Sequence, residues 1–377
     1  MHRSDIDDGA RGRARRKIAL FVLCIIIVAA SNTAAGRGSG VGSVGGTTVK
    51  TVVAIRGTAF SINGVVTFPG TRAEGLLLNS RMVQAAFDDE NRLTATNWRY
   101  PDTGRWSADR NAREFATALP EYAARGLNAV TINLQGGSPT GAAADAQKNV
   151  TTAFNRSGSL KRAWRLRLEG VIDACARNHI VVIVGLFYFG QDHRLRDERA
   201  VVSAVDNATR WLVGKRYTNV LVEIDNEANL RYDHAILTPE RVQELIRRVQ
   251  RRSRGRLKVS TSFAGGTVPP EAVIRASDFV LLHGNGQSAE SMGRMVDRVR
   301  GLDSYGMKPK PIVFNEDSTN LANLEVAVGR KTSWGYYDQG SNDYRDGFQT
   351  PPVNWSINTS EKRAFFDRVA SLTGKRP

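Results

Sequence analysis

The chain of 377 residues is 41% hydrophobic and 24% charged, a composition typical of globular proteins that excludes disorder for the body of the molecule. Its formal net charge is +16 at pH 7, and much of the excess falls on predicted outer helices, where it forms a solvated face. The alternative is attraction to an anionic polymer, such as a cell wall or an acidic polysaccharide. No nucleic-acid-binding motif accompanies the charge, so nucleic acid is not an expected partner.

The N-terminus has the order of an export signal. A basic cluster precedes the unbroken apolar run Ile18–Ala30, which is shorter than the roughly 20 residues of a membrane span. Small residues at Thr33 and Ala35 offer a cleavage point. We therefore expect residues 1–35 to be a signal peptide or, if uncleaved, a membrane anchor, and the protein to be secreted or associated with the cell envelope. Residues 36–49 are rich in Gly and Ser, which predicts a flexible linker.

From residue 50 onward, short apolar strands alternate with amphipathic helices, which predicts parallel strands joined by crossover helices. Val52–Ala54 and Phe60–Phe68 predict an antiparallel hairpin with its turn at Asn63-Gly64, placed as a cap on the bottom of a barrel. Eight further strands are predicted at Gly75–Asn79, Ala129–Leu134, Ile180–Leu186, Asn219–Ile224, Leu257–Thr261, Phe279–Leu282, Ile312–Phe314 and Ser333–Tyr336. Helices are predicted at Asn111–Arg125, Leu160–Asn178, Asp197–Val213, Pro239–Arg252, Ala289–Gly301 and Ser360–Leu372, with a short one near Pro270–Ala276 and a weakly patterned one at Asn320–Val328.

Eight strands in one chain of this length favour a single α/β domain over residues 50–377, a (β/α)8 TIM barrel with an N-terminal β-hairpin cap. The alternative fold is an open doubly wound sheet, which would need a nucleotide-binding sequence after its first strand. Asn79-Ser80-Arg81 provides none. Beyond the export segment the chain has one cysteine, Cys175, in a helical pattern that indicates a buried structural thiol.

Polar residues are concentrated where the predicted strands end. The carboxyl ends of barrel strands share one face, and that face carries the chemistry of barrel enzymes. The strands themselves are apolar, as expected for a packed interior below a polar rim. In strand order the residues at these ends include Asn79, Arg81, Asn133, Gln135, Tyr188, Gln191, His193, Glu223, Asp225, Asn226, Glu227, Ser260, Thr261, Ser262, His283, Asn285, Asn315, Glu316, Asp317 and Trp334.

The pair Asn226-Glu227 after the fourth strand resembles the Asn-Glu signature of clan A glycoside hydrolases, the cellulase-like barrels of the glycoside hydrolase family 5 type. In that clan a Glu after strand four is the acid/base and a Glu after strand seven is the nucleophile. Glu316 stands at the second position. His283 after strand six and Trp334 after strand eight match the clan's substrate-contacting His and its platform Trp. The resemblance covers the whole predicted barrel.

The resemblance implies a retaining glycosidase that needs no cofactor and no metal. Cleavage of a glycosidic bond takes one carboxylic acid that protonates the leaving oxygen and one carboxylate on the other side of the sugar. Glu227 is expected to hold its proton through a raised pKa beside the charge of Glu316. Glu316 is expected to stay ionised with the help of donors such as Arg81 or His283. Asn226 is expected to bind the 2-hydroxyl of the sugar.

The sequence departs from the clan pattern at two points. No Tyr follows His283 to hydrogen-bond the nucleophile, and Tyr188 is the candidate substitute. Arg81 is the close candidate for the clan's arginine that neutralises the nucleophile. These departures leave the substrate class more open than the reaction.

The expected function is hydrolysis of O-glycosidic bonds in β-linked glycans, with a polysaccharide or oligosaccharide as substrate. An anionic cell-wall polymer is expected as a further partner, and the protein is expected to be a monomer. The alternative is a non-catalytic carbohydrate- or cell-wall-binding barrel, which would not need both carboxylates. A metal-dependent hydrolase is disfavoured, because no two of the five histidines have His-x-His spacing. Loops 136–159 and 337–354 are predicted to wall the cleft, and Trp98 and Trp106 to add aromatic surface. The sugar, the linkage and endo or exo action stay open.

Overall fold

The computed structural model describes residues 50–136 and 148–376. The predicted signal segment, residues 1–35, and the linker, residues 36–49, lie outside the described residues. The segment Thr48–Pro377 forms one compact unit. Within the two described ranges, no helix is long and apolar enough to cross a membrane.

Three short antiparallel strands precede eight parallel ones in the described residues. In chain order the strands are β1 (Val53–Arg56), β2 (Ala59–Ile62), β3 (Val65–Val66), β4 (Leu78–Arg81), β5 (Ala129–Asn133), β6 (Val181–Tyr188), β7 (Val220–Asn226), β8 (Lys258–Ser260), β9 (Val280–His283), β10 (Ile312–Glu316) and β11 (Trp334–Tyr336). The helices are α1 (Ala108–Ala124), α2 (Arg162–Arg177), α3 (Glu198–Gly214), α4 (Val242–Ser253), α5 (Glu271–Ala276), α6 (Ala289–Arg300), α7 (Asp303–Gly306), α8 (Leu321–Gly329) and α9 (Ser360–Thr373).

The parallel strands follow one another around a barrel in chain order. Six of them pair as β11-β4-β5-β6-β7-β8, and β9 pairs with β10. A parallel bridge between Val313 and Ser333 joins β10 to β11. Between β8 and β9, the Asp278 N–H donates to the Val259 carbonyl at 2.9 Å. The predicted (β/α)8 barrel is therefore confirmed, with each predicted strand overlapping one of β4–β11.

The N-terminal strands close the bottom of the barrel. They form two consecutive hairpins, β1-β2-β3, instead of the single predicted one. Asn63 and Gly64 make the second turn with φ of 54° and 84°, the positive values that a tight hairpin turn requires. Gly75 bonds to this cap, because its N–H donates to the Thr67 carbonyl and its carbonyl accepts from the Phe60 N–H. For that reason β4 begins at Leu78 and not at the predicted Gly75.

Apolar side chains fill the lower barrel and polar ones the upper barrel. The lower cluster consists of Phe60, Leu77, Ala129, Val181, Ile183, Leu221, Phe279, Leu281 and Val313. Successive side chains of a strand point to opposite faces, so the inward position two residues further along each strand lies one layer higher. In β7 this places Glu223 above Leu221, and in β9 it places His283 above Leu281. The sequence therefore brings charged groups to one level of the barrel, near its open end.

Candidate active site

Glu227 and Glu316 converge at the carboxyl end of the barrel. Glu227 directly follows β7, the fourth barrel strand, and Glu316 ends β10, the seventh. One carboxylate oxygen of each glutamate and one ring nitrogen of His283 all lie within 4.8 Å of one another. The side chains of Glu227 and Glu316 are 14% and 11% exposed, so both carboxylates border the open end while resting in a largely buried setting.

The backbone at Glu227 adopts a conformation that non-glycine residues seldom take. Its φ is 58°, in the left-handed region, which costs free energy unless the surroundings hold it in place. Ser262, after β8, accepts the Glu227 N–H through its hydroxyl at 3.0 Å, and the Glu227 carbonyl accepts from the Leu230 N–H at 2.8 Å. The chain therefore turns sharply at the residue that carries the first carboxylate.

Glu316 is held by two donors, one on each carboxylate oxygen. The Arg81 Nε pairs with Oε2, and the Asn285 side-chain amide donates to Oε1 at 2.9 Å. The register between β10 and β9 shifts between Phe314 and Glu316, an irregularity that changes the direction of a side chain at the end of a strand. Arg81 and Asn285 together fix the position of the second carboxylate.

Asn285 is a site residue whose role the sequence analysis missed. It lies two residues after His283, in the segment where the resemblance to the clan predicts a tyrosine that hydrogen-bonds Glu316. Among the described residues, the donors to the Glu316 carboxylate are Arg81 and Asn285 and do not include the proposed substitute, Tyr188. Burial, followed by the charges of the two glutamates, raises the pKa of Tyr188, so its phenol is neutral beside the carboxylates. The sequence does contain a signal for this role, because the Asn285 amide can donate a hydrogen bond to Glu316 in place of a tyrosine hydroxyl.

His283 lies below the two carboxylates and has no exposed surface. Its Nδ1 is 3.0 Å from Glu227 Oε1 and 3.8 Å from Glu316 Oε2, and its Nε2 is 3.9 Å from Glu223 Oε1. Burial lowers the pKa of His283, but the charge of Glu316 and the hydrogen bond with Glu227 outweigh it, and the net pKa is raised. The prediction that His283 contacts the substrate is therefore corrected, because its ring contacts the carboxylates and is not exposed to the cleft.

The pKa of Glu227 is lowered, contrary to the expected raised value. Burial raises this pKa, but the hydrogen bond and the charge of His283, with a smaller effect of Arg81, lower it by more than burial raises it. The buried imidazole 3.0 Å away outweighs the repulsion from Glu316 on which the expectation of a raised pKa depends. The two shifts together favour a charged His283 beside an ionised Glu227.

Arg81 connects the site to the layer below it. It is 2% exposed, and its guanidinium contacts Glu316, Asn226 Oδ1 and, at 3.9 Å, Glu223 Oε2. The Asn315 amide donates to the same Glu223 oxygen at 3.2 Å. Glu223 is fully buried, so it supports the cluster from within the barrel. Arg81 is thus the central cation of the cluster.

Trp334 does not form a sugar platform. It is 1% exposed, its ring lies 6.2 Å from that of Phe365 in α9, and its Nε1 donates to Asp317 Oδ2 at 2.8 Å. The side chain belongs to the layer between barrel and helices, which corrects the prediction. Tyr337, directly after β11, borders the site, and burial and then the nearby charge of Glu316 raise the pKa of its phenol.

Trp98 and Trp106 differ in accessibility. Trp98 is 1% exposed and donates through Nε1 to Asp89 Oδ2 at 3.0 Å, so it does not add aromatic surface to the cleft as predicted. Trp106 is half-buried and stacks on Tyr100 with ring centroids 5.7 Å apart. It is therefore the tryptophan of this loop that is partly open to solvent.

Within residues 50–136 and 148–376, two groups of side chains have a geometry that could hold a metal ion. The first is the trio of Glu227, His283 and Glu316. Arg81 already supplies positive charge there, and the raised pKa of His283 favours its charged form, so a cation is disfavoured. The second trio is Asp192, His193 and Asp233, on loops after β6 and β7.

No protein-family model matches the sequence, and no curated protein matches it. Solved structures do resemble the fold. A β-1,4-D-mannanase from Cryptopygus antarcticus is 12% identical, with 87% of this chain and 96% of that chain covered and a TM-score of 0.54. An endo-1,4-β-mannanase from Eisenia fetida is 13% identical, with 87% and 97% covered and a TM-score of 0.54.

A candidate glycoside hydrolase from Bacteroides vulgatus is 14% identical, with 86% of this chain covered and a TM-score of 0.53. This chain spans 61% of the length of that protein. At such identities the likeness establishes the fold alone. The chain has the (β/α)8 barrel fold that the alternation of strands and helices predicted.

Proposed function

We propose that this protein is a retaining glycoside hydrolase that cleaves O-glycosidic bonds, with Glu227 as the acid/base and Glu316 as the nucleophile. The observation that carries the proposal is the approach of the two carboxylates within 4.8 Å at the open end of the barrel. Retaining enzymes hold their carboxyl groups about 5–5.5 Å apart, whereas inverting enzymes separate them by about 6.5–9.5 Å to admit a water molecule. The spacing therefore supports double displacement.

In the first step a Glu316 oxygen forms a bond to the anomeric carbon, and the bond from that carbon to the leaving oxygen breaks. Glu227 protonates the leaving oxygen. In the second step Glu227 takes a proton from water, whose oxygen attacks the anomeric carbon and displaces Glu316. Arg81 and Asn285 restrict the Glu316 carboxylate to one orientation, which reduces the entropic cost of the attack.

His283 supplies the proton that Glu227 needs. The raised pKa of His283 and the lowered pKa of Glu227 favour the proton on the imidazole of this pair. A sugar in the cleft removes water from the exposed part of the Glu227 carboxylate, and desolvation favours its neutral form. The proton then moves across the 3.0 Å hydrogen bond to Glu227, which can pass it to the leaving oxygen. Acid/base function therefore belongs to the pair.

Asn226 is oriented for a contact to the sugar. Its side-chain oxygen accepts from Arg81, and its backbone carbonyl accepts from the Tyr232 hydroxyl at 2.6 Å. The amide group of the side chain keeps donors for a hydroxyl of the substrate, and a 2-hydroxyl contact strengthens in the transition state. This arrangement supports the predicted role of Asn226.

A glycan panel tests the proposal. The first substrates are β-1,4-mannan, because two of the similar structures are mannanases, and β-glucans. We expect Glu316→Gln and Glu227→Gln each to lower kcat at least 100-fold, the usual range for losing such a group. The exposed Glu290→Gln is the matched control and should keep full activity. Full rates in both site variants would refute the assignment, and a product of inverted configuration by NMR would refute double displacement.

A second experiment tests the acid/base role alone. Glu227→Ala removes the carboxylate, and azide fits the space it leaves beside the anomeric carbon. We expect azide to restore turnover of a substrate with a good leaving group and to yield a glycosyl azide of retained configuration. An azide-insensitive variant would assign the proton transfer to another residue.

We also propose export through residues 1–35, on the strength of the basic and apolar order of that segment. N-terminal sequencing of the protein from the culture medium tests this proposal. A mature N-terminus near Gly36 is expected, and an intact N-terminus retained with the cells would identify an anchor instead.

A further inference from the structure

We propose that the loop after β4 forms a binding site for an anionic group carried by a glycan. The site, which we name the arginine pocket, is a cavity of about 500 Å³ lined by Arg92, Ala95, Thr96, Arg99, Gly104, Arg105 and Trp106. The loop follows the carboxyl end of a barrel strand and so lies on the same face as Glu227 and Glu316. The inference rests on the proposed function only in treating the bound glycan as the substrate.

The charge of the arginine pocket is not compensated by the surrounding protein. None of its described lining residues is acidic, and Arg92, Arg99 and Arg105 are all exposed. Within residues 50–136 and 148–376, none of the three arginines forms an ion pair with a carboxylate. The acids of the same loop have other partners, in the pairs Asp88–Arg167, Glu90–Lys161 and Asp102–Arg110.

Some arginines elsewhere on the surface are compensated by a carboxylate. Arg110, Arg248 and Arg368, for example, each pair with a carboxylate at 2.7 Å or less. Three unpaired guanidinium groups around one cavity repel one another, and an anion between them relieves that repulsion. Guanidinium groups also match the planar oxygens of carboxylates and the oxygens of sulfates with two parallel hydrogen bonds.

Trp106 gives the arginine pocket a wall that suits a sugar ring. Its indole lies parallel to the Tyr100 ring at an interplanar angle of 7°, and the edge contact with Phe87 has centroids 5.4 Å apart. Its Nε1 donates to Asp88 Oδ1 at 3.2 Å, so the ring is fixed while it remains half-buried. An aromatic face binds the C–H face of a pyranose. Sugar ring and anion are therefore recognised side by side.

A second basic cavity lies on the neighbouring loops of the same face. It has about 400 Å³, and its described lining includes Arg156, Lys161 and Arg194 and no acidic residue. The ion pair between Lys161 and Glu90, at 2.7 Å, connects this cavity to the loop of the arginine pocket. Two basic cavities on adjacent loops fit a polymer with repeated anionic groups better than a single charged sugar.

Binding to cellulose derivatives tests the proposal, because one backbone can carry different groups. Carboxymethyl cellulose has carboxylates, cellulose sulfate has sulfates, and hydroxyethyl cellulose is neutral. The protein carries Glu316→Gln throughout, so that no polymer is cleaved and the result does not depend on the proposed chemistry. The test variant is Arg92→Gln/Arg99→Gln/Arg105→Gln.

The matched control is Arg210→Gln/Arg247→Gln/Arg251→Gln, three exposed arginines of α3 and α4 with the same change in net charge. We expect the pocket variant to lose about 10-fold or more in affinity for at least one anionic polymer, about 1.4 kcal/mol, and to bind hydroxyethyl cellulose unchanged. The control should stay within twofold of the parent. The polymer whose binding falls identifies carboxylate or sulfate as the group recognised.

Three outcomes would overturn the proposal. Equal losses in the pocket and control variants would assign binding to net charge, unchanged affinities in both would leave the arginine pocket without a ligand, and an equal loss for the neutral polymer would exclude anion recognition. A Lys variant at the same three positions separates guanidinium geometry from charge. It should recover less than half of the lost binding free energy if paired hydrogen bonds matter.

Discussion

Replacing His283 by Gln tests the charge state of the buried imidazole through protein stability. The variant keeps a hydrogen-bond donor near Glu227 and removes the positive charge. At 3.0 Å and an effective dielectric constant of about 20, the attraction between imidazolium and carboxylate is about 5 kcal/mol. Burial and the nearby Arg81 oppose it, and removing one partner of a buried pair typically costs about 3–5 kcal/mol. Because Gln retains a hydrogen bond, we expect a loss of about 2–3 kcal/mol at pH 5.5.

The loss should depend on pH in one direction. The folded-state pKa of His283 is raised above the ordinary value of 6.5, so the stabilisation from its charge is fully present below pH 6.5 and disappears as pH rises through the raised pKa. The contribution of Glu227 disappears only as pH falls through its lowered pKa, below 4.5. The difference between wild type and variant should therefore be largest at pH 5–6 and should fall to about 1 kcal/mol or less at alkaline pH.

Denaturant unfolding at pH 5.5, 7 and 9 measures this difference. Asn79→Ala is the control, because it loses neutral hydrogen bonds to Thr131 Oγ1 and the Asn315 carbonyl at the same level of the barrel. Its cost should be the same at all three pH values. A His283→Gln cost that is constant with pH would show that the imidazole is neutral in the folded protein, and the proton assignment to the pair would be wrong.

Three further predictions use other side chains of the barrel. Burial, and then the charges of Asp192 and Glu223, raise the pKa of Asp225 well above 3.8, so ionisation of Asp225 destabilises the fold as pH rises. In urea titrations, Asp225→Asn should therefore be more stable than wild type at pH 8 and equally stable near pH 3. Trp334→Ala should lower the unfolding free energy by about 3–5 kcal/mol, and a matching fall in glycan affinity of the folded variant would restore the platform role. Asn285→Ala, which removes a charge-assisted hydrogen bond, should lower kcat about 10-fold with little change in KM, and an unchanged kcat would remove Asn285 from the site.

The barrel could be predicted from the sequence because its signals are local. Each strand is a short apolar run between polar ends, and each long helix has an apolar stripe, so the eight strands and the longer helices were found in order. The ends of strands and helices were harder to predict where hydrogen bonds to residues distant in sequence determine them. Gly75 continues the apolar run of β4 but is bonded to Thr67 and Phe60 of the cap. The short helix α7 has too few residues to show a period.

The direction of side chains on the last strand could not be predicted. β11 has three residues, and its inward position belongs to Gly335. A Cβ there would lie 2.7 Å from the Asn315 backbone, so the space inside the barrel accepts only glycine. Trp334 and Tyr336 must then point outward to the helices, which places Tyr337 nearest the carboxylates. A strand this short gives no pattern that distinguishes one phase from the other.

The two glutamates could be predicted as a pair, but their charges could not. Position after strands four and seven follows from the order of elements along the chain. The proton depends on a contact between β7 and β9, where the His283 Nδ1 comes closer to Glu227 than to Glu316, and on Asn285, which satisfies Glu316 from the side. Because Asn285 and Arg81 hold one carboxylate and His283 holds the other, the two have different hydrogen-bond partners despite their similar burial. In the proposed mechanism, that difference allows chemically identical side chains to perform opposite steps, and it arises from the register of strands that are remote in sequence.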